Sequence, residues 1–252
     1  MRSRWRPPRD RVRPDVVLRL VVRTFSEVCL TAGTLIVLFV AYVLLWTGVK
    51  ADRAMDGEMD RMRDRWAAAP AAAPAPAPTP SAAAPAPSPP ARAERYPAGR
   101  AFAEMYVPRF GPDWVKPVLE GTDPELLKKG LGHYAATAPL GAVGNFSVAG
   151  HRRTYGDPFK DFPRLRPGDV VILKDASTWY TYTLRSAPLR TLPTDVAVVD
   201  PVPEKSPFRT PGRYLTLTTC DPEWGHSHRL VVWAELTGTR PAAEGRPEGL
   251  SG

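Results

Sequence analysis

Cysteine is scarce in this chain: of 252 residues, only Cys29 and Cys220 carry a thiol. Cys29 lies within positions 28–49, a run without any charged residue. Such a run is long enough to cross about 30 Å of hydrocarbon. A thiol inside a membrane span cannot bridge to one that lies beyond it, which excludes a disulfide framework. Cys220 is therefore an unpaired thiol at the end of a strand-like segment, LTLTTC at residues 215–220.

The charges around this apolar run predict its orientation. Eight arginines precede it within residues 1–27, whereas five Lys or Arg residues follow it within residues 50–65. The positive-inside rule then places the basic tail 1–27 in the cytoplasm, a transmembrane helix at 28–49, and the rest outside. The predicted location is the cell membrane, with a single pass. A cleaved signal peptide is the alternative, although its apolar core usually has about 7–15 residues.

The basic tail does not require nucleic acid as a partner. Topology and attraction to anionic lipid explain a cluster of arginines on the cytoplasmic side. The orientation also places Cys220 in an oxidising compartment, where structural cysteines normally pair. An unpaired cysteine at a strand end in that compartment is a candidate nucleophile.

Proline is abundant, with 30 residues, and many of them alternate with alanine over residues 67–93. Such a segment lacks the apolar side chains of a core and favours extended polyproline II. We therefore expect residues 50–95 to form a juxtamembrane segment and a disordered stalk. A single catalytic domain is expected at 96–240, followed by a disordered tail at 241–252.

The pattern of the folded domain is typical of an all-β protein. Short strand-like runs separated by Gly and Pro turns favour a sandwich or a barrel. The helical signal is confined to residues 123–130, where an Asp cap and a proline predict one or two turns. Eight candidate strands are found, at 103–107, 116–119, 145–149, 169–174, 179–186, 196–199, 213–219 and 229–236.

Cys220 and Arg229 flank a loop between the last two predicted strands. If these strands pair, the two residues face each other at the mouth of the loop. A guanidinium stays charged and offers a fork of donors. It can favour a thiolate or hold a carbonyl oxygen that becomes an oxyanion.

Such a site also needs a general acid to protonate a leaving amine. His151 follows a β-run and a glycine, which is a strand-end position, whereas His133 lies in a loop. His133 is an alternative acid, a structural residue or a rim contact. Cys220, His226 and His228 offer a possible zinc site, but their spacing matches no common pattern. The prediction is therefore that no metal and no cofactor takes part.

The residues around Cys220 resemble those of a known family. The segment TLTTC, residues 216–220, is similar to the TLxTC signature of sortases, the cysteine transpeptidases of Gram-positive surfaces. The upstream segment 144–159 (GNFSVAGHRRTYGDPF) and segments 121–134 and 179–184 look most like the class E branch of actinobacteria. The resemblance covers roughly residues 101–238. It implies an eight-stranded sortase-like β-barrel with short helices, behind the transmembrane helix and the Pro/Ala-rich linker.

The resemblance also implies roles. Cys220 would attack the Thr-Gly carbonyl of an LAxTG-like or LPxTG-like C-terminal sorting signal, and His151 would protonate the leaving amine. Arg229 would position the substrate and stabilise the oxyanion. The partners implied are surface proteins that bear sorting signals, together with an acceptor amine on a peptidoglycan precursor or a pilin. Further substrate-binding residues are expected at Thr219, Tyr155 and His133.

One stretch departs from the class E pattern. Members usually follow the cysteine with His or Asn, then Pro, then a Ser-Ala pair, whereas residues 220–229 read CDPEWGHSHR. Asp221 places a carboxylate beside the thiol and should disfavour the thiolate. The departure bears on substrate preference and turnover more than on reaction type. The alternative to an enzyme is a non-catalytic cell-surface binding module on the same fold.

Overall fold

The computed structural model of the protein describes residues 14–68 and 96–250. Its two compact units are Met1–Trp46 and Thr47–Gly252. Some sequence predictions concern residues outside the described ranges: the first part of the basic tail (1–13), most of the Ala/Pro-rich stretch (69–95) and the last two residues (251–252).

The first helix, α1, spans Pro14–Ala68. Its segment Val17–Tyr42 has a mean hydropathy of 1.9, and none of it is buried. By length and composition this segment can cross a membrane. It overlaps the predicted span at 28–49 and begins earlier in the chain.

Nine β-strands follow α1, and eight of them close into a barrel. The closed ring runs in the order β6-β5-β1-β2-β3-β4-β8-β9, and β9 pairs again with β6. The ninth strand, β7, is short and pairs with β9 alone. The strands are β1 (Ala101–Tyr106), β2 (Val115–Glu120), β3 (Leu131–His133), β4 (Gly144–Ala149), β5 (Val170–Lys174), β6 (Thr178–Leu184), β7 (Leu189–Thr191), β8 (Arg213–Asp221) and β9 (His228–Pro241).

The predicted eight-stranded barrel is confirmed, but one of its strands was assigned wrongly. Seven candidate strands are present, whereas Val196–Val199 is a 3-10 helix whose Val198 packs against Trp233. The eighth place in the ring belongs to β3, which has only three residues and joins β2 to β4. A run of that length carries too little periodicity to be identified from sequence.

The helices of the β domain are short. The predicted turn at 123–130 is present as α2 (Pro124–Leu127). The other helical turns are 3-10 helices: Pro108–Phe110, Phe162–Arg164, Val196–Val199, Ala242–Glu244 and Glu248–Leu250.

The tail expected at 241–252 includes two 3-10 turns, Ala242–Glu244 and Glu248–Leu250, within the described residues. Ala242 and Leu250 pack against a buried cluster that includes Ile172 and Trp179 on the barrel. Burying apolar surface offsets the entropy lost on ordering. The sequence shows few apolar residues here, and their partners lie far away in the chain.

The end of α1 packs on the barrel within the second unit. Ala51, Met55, Met59 and Met62 are buried, and their spacing of three or four residues forms one helix face. The methionines at 59 and 62 join a cluster with Ala101 and Leu119 of the barrel. Part of the segment expected to lead into the stalk is therefore a docked helix.

This docking predicts a local effect of substitution. In the detergent-solubilised chain, Met62→Asp should increase trypsin cleavage at the arginines of 53–65 by about tenfold or more, because a carboxylate replaces a fully buried side chain. Asp60→Asn, at an exposed position of the same helix, is the control. Equal cleavage rates in the two variants would show that this helix does not depend on the barrel contact.

Candidate active site

The parallel pairing of β4 with β8 sets the position of His151 and Cys220. Its register ends at Ala149 opposite Thr218. Gly150 then donates a backbone hydrogen bond to the carbonyl of Thr218, at 3.1 Å. His151 and Cys220 each lie two residues beyond the last registered pair. Neighbouring strands are about 4.8 Å apart, so the two side chains emerge side by side.

Cys220 and Arg229 are direct partners in the antiparallel pairing of β8 with β9, as the sequence predicted. Leu215 and Leu217 of β8 belong to the barrel core. Because successive side chains of a strand alternate between faces, Cys220 projects from the opposite, outer face. The outer face of β9 likewise carries Arg229, two residues before Val231 in the second apolar cluster.

His151 and Cys220 line one groove of 290 Å³. The rest of its wall comes from the segments that follow these two residues. These lining residues are Arg152, Arg153 and Thr154 on one side and Glu223, Trp224, Gly225 and His226 on the other. The groove is therefore formed where the ends of β4 and β8 diverge.

His151 has an imidazole that is largely enclosed. Its Nε2 is buried and has no hydrogen-bond partner among the described residues. Burial, and secondly the positive charge of Lys128, hold the pKa of His151 below its ordinary value of 6.5. Both effects favour the neutral imidazole, whose free nitrogen can accept a proton and pass it on.

The guanidinium of Arg229 is fixed by the loop between β8 and β9. Its Nη1 donates to the backbone carbonyls of His226 and His228, both at 3.0 Å. Among residues 14–68 and 96–250, no carboxylate forms an ion pair with it. The charge is therefore not neutralised by a carboxylate of these residues, and the guanidinium has further donors besides Nη1. Arg229 itself is not among the residues that line the groove of Cys220 and His151.

The three residues expected to bind substrate have different positions. Thr219 is buried, and its hydroxyl donates to the carbonyl of Gly150 at 2.8 Å, which links the ends of β4 and β8. Tyr155 lies near the groove, with its ring centroid 5.2 Å from that of His151. Its backbone is in the left-handed region, with φ 51°.

His133 does not lie in the groove, contrary to its expected role in substrate binding. It is fully buried on β3, and its Nδ1 lies 2.6 Å from a carboxylate oxygen of Glu120. Its ring stacks on Phe146 with centroids 4.5 Å apart. Both nitrogens have partners, since Nε2 contacts Thr137 at 3.1 Å. β3 directs this side chain into the barrel, and its contacts there are those of a structural residue.

The sequence suggested that Asp221 places an uncompensated carboxylate beside the thiol, but this carboxylate is paired. It forms ion pairs with Arg152 and with Arg190, the latter at 2.6 Å. Burial acts to raise the pKa of this carboxyl, but hydrogen bonds from Arg190 and Arg152 outweigh it and lower the pKa of Asp221. Two guanidinium groups thus compensate its charge, and the expected penalty on a thiolate is offset.

The alternative zinc site finds no support in the part of the chain that the structure describes. No group of three or more His, Cys, Asp or Glu side chains there is arranged to hold a metal ion. His228 contacts Arg190 at 3.0 Å through Nδ1, and His226 is exposed at the groove. A nearby guanidinium opposes cation binding at His228.

Four charged or aromatic groove residues were not identified from sequence as site residues. Arg152 and Arg153 directly follow His151, and Glu223 and Trp224 follow Cys220. Arg153 pairs with Glu223, and its guanidinium lies 4.9 Å from the ring centroid of Trp224. The available signal was the pattern of two arginines after the histidine and two carboxylates after the cysteine.

Comparison with known proteins points to one family. A family model described as the sortase domain matches residues 105–237. Sortase SrtE1 and sortase SrtE2 of Streptomyces coelicolor are 34% and 33% identical to this chain. The SrtE1 alignment covers 90% of this chain and 60% of SrtE1. The chain thus spans less than two thirds of that relative's length. For SrtE2 the shares are 92% and 88%.

Solved structures agree with this assignment. Sortase E from Streptomyces avermitilis is 63% identical, with a TM-score of 0.59, and the match covers 62% of this chain and 99% of that one. Sortase E1 from Streptomyces coelicolor, solved with a tripeptide in the active site, is 38% identical with a TM-score of 0.57. That match covers 60% of this chain and 97% of the solved chain.

The environment of His151 predicts its titration. By NMR, the imidazole of His151 should titrate below 6.5, and Lys128→Gln should raise its pKa because a nearby positive charge is removed. Lys129→Gln, at the next and exposed position, should leave the pKa unchanged. A His151 pKa at or above 6.5, or one insensitive to Lys128→Gln, would contradict this account.

Proposed function

The chain belongs to the sortase family, and we propose that it acts as a cysteine transpeptidase on proteins with a C-terminal sorting signal. The observation that carries the proposal is the placement of Cys220 and His151 in one groove, with Arg229 directly opposite Cys220. The signal is of the LAxTG or LPxTG type and is cleaved between Thr and Gly. The acyl group then passes to an amine of a peptidoglycan precursor or a pilin.

The first half of the reaction uses Cys220 and His151. The Cys220 sulfur attacks the carbonyl carbon of the signal threonine, a carbon–sulfur bond forms, and the Thr-Gly carbon–nitrogen bond breaks. The leaving amine needs a proton. That proton is the one that Cys220 and His151 hold between them in the resting enzyme, and the imidazole of His151 delivers it.

The second half reverses the roles of these groups. An acceptor amine attacks the thioester carbonyl, the carbon–sulfur bond breaks, and the excess proton of the amine returns to the thiolate through His151. Arg229 would support both halves, since it is the strand partner of Cys220 and the carbonyls of His226 and His228 hold its guanidinium. Fixed donors at a developing oxyanion are worth about 10²–10³ in rate.

The N-terminal segment supports an anchored enzyme. The apolar helix segment Val17–Tyr42 is exposed along its length, as a lipid-facing helix would be. With the arginine excess before it, we propose a cytoplasmic N-terminus and an extracytoplasmic β domain. This places Cys220 on the side where sorting signals and cell-wall amines are found.

The roles of the groove residues predict the effects of substitution. With a fluorogenic LAxTG peptide, Cys220→Ala should be folded and inactive. His151→Ala should lose about 10²-fold or more in kcat/KM, because acid–base transfer is lost. His226→Ala keeps the thiol and the imidazole of His151 and should lose only a few-fold. Cleavage by Cys220→Ala would exclude covalent catalysis through this residue and favour a binding module instead.

The proposed topology can be tested on intact cells stripped of their wall. Protease added outside should remove the β domain and spare the N-terminal tail, because only the tail is cytoplasmic. An epitope at each end distinguishes the fragments, and lysed cells provide the control. Protection of the β domain would contradict both the topology and the proposed site of action, and release of a soluble form would favour a cleaved signal peptide.

A further inference from the structure

The backbone link between β4 and β8 ends before the groove begins. Its last contacts are the 3.1 Å bond from Gly150 to the Thr218 carbonyl and the 2.8 Å bond from the Thr219 hydroxyl to the Gly150 carbonyl. Within the described residues, no backbone hydrogen bond joins 151–153 to 220–224. The sheet therefore does not by itself fix the distance from His151 to Cys220.

Side chains continue the link where the ladder stops. Arg152, next to His151, pairs with Asp221, next to Cys220. One position further on, Arg153 pairs with Glu223, which lies beyond Pro222 in the same loop. Both pairs run between the same two segments, so each holds the two walls of the groove together.

The two pairs differ in their exposure to solvent. The side chains of Arg152 and Asp221 are 11% and 16% exposed, whereas those of Arg153 and Glu223 are 31% and 41% exposed. Arg190 of β7 adds a second bond to Asp221, at 2.6 Å. An enclosed charge that loses its partner is far more costly than an exposed one. The inner pair should therefore dominate.

We propose that the pairs Arg152–Asp221 and Arg153–Glu223, here called the ion-pair clasp, hold the imidazole of His151 at reacting distance from the Cys220 thiol. Asp221 is then a positioning residue that acts through His151 and Cys220. It does not line the groove, whereas its partner Arg152 does. This inference rests on the proposed transpeptidation for its kinetic consequences. The geometry of the clasp does not depend on that function.

A purely electrostatic role for Asp221 predicts the opposite effect of its removal on the reactivity of Cys220. If Asp221 acted only through its charge, it would disfavour the thiolate, and its removal would make Cys220 more reactive. If it positions the two groups, its removal lowers turnover even though a negative charge has been taken away. The direction of the effect therefore decides between the two roles.

The first experiment measures peptide cleavage by clasp variants of the full chain. Asp221→Asn should lower kcat by about 10- to 100-fold with little change in KM, since misplacement of reacting groups by about 1 Å can cost 10²-fold. Asp221→Glu, which keeps the charge, should recover part of the loss. Glu223→Gln should lose only a few-fold, because the outer pair is exposed.

The matched control is Glu235→Gln, which breaks an exposed ion pair away from the groove. The side chains of its two members, Arg185 and Glu235, are 43% and 46% exposed. This variant should leave kcat unchanged. Circular dichroism checks that each variant is folded, and Glu223→Gln still tests the clasp if Asp221→Asn is not. An unchanged or raised kcat in Asp221→Asn, or no loss in folded Glu223→Gln, would overturn the proposal.

The second experiment needs no sorting signal. The rate of Cys220 alkylation by iodoacetamide is measured with and without His151→Ala, first in the wild-type chain and then in Asp221→Asn. If the clasp couples the two groups, His151→Ala should change the alkylation rate of Cys220 by several-fold in the wild-type chain. In Asp221→Asn the same substitution should change that rate by less than about twofold, because the two groups have lost their coupling.

Together the two experiments distinguish failure of the proposed function from failure of the clasp. If no peptide is cleaved but the alkylation cycle shows the loss of coupling, the proposed function fails and the clasp stands. If peptide is cleaved but His151→Ala has the same effect on alkylation in both backgrounds, or none in either, the clasp fails and the proposed function stands.

Discussion

The parallel pairing of β4 with β8 is the constraint on which the site depends. It brings together two segments that are about 70 residues apart in the chain and sets their register, Ala149 opposite Thr218. His151 and Cys220 then lie next to each other because each is two residues beyond that last registered pair. A shift of the register by one residue would turn one of them toward the barrel core, since side chains alternate between faces.

In the closed barrel, the two faces of β8 have different neighbours. The inner face of β8 packs with the core through Leu215 and Leu217, while the outer face carries threonines that lead to Cys220. The 3-10 helix Val196–Val199 covers this face further along, where Val198 packs against Trp233. The thiol of Cys220 lies at the other end of this face, partly buried, and lines the groove.

Much of the fold could be predicted because strands and turns leave local signals. Alternating residues located β8 and β9, and the Asp-Pro start located α2. The errors share a cause, since β3 has three residues and Val196–Val199 has the composition of a strand. Short segments take their conformation from what they pack against. The docked face of α1 depends likewise on the barrel that covers it.

The sequence by itself determined the chemistry that is available: one thiol after a strand, a histidine after another strand, an arginine beyond a loop and an apolar helix ahead of them. Those are properties of residue type and of spacing along the chain. Only the tertiary structure decided that His133 is buried in the barrel and that two arginines hold Asp221. The reason is that burial and ion pairing are set by strands paired across long separations, which no local pattern records.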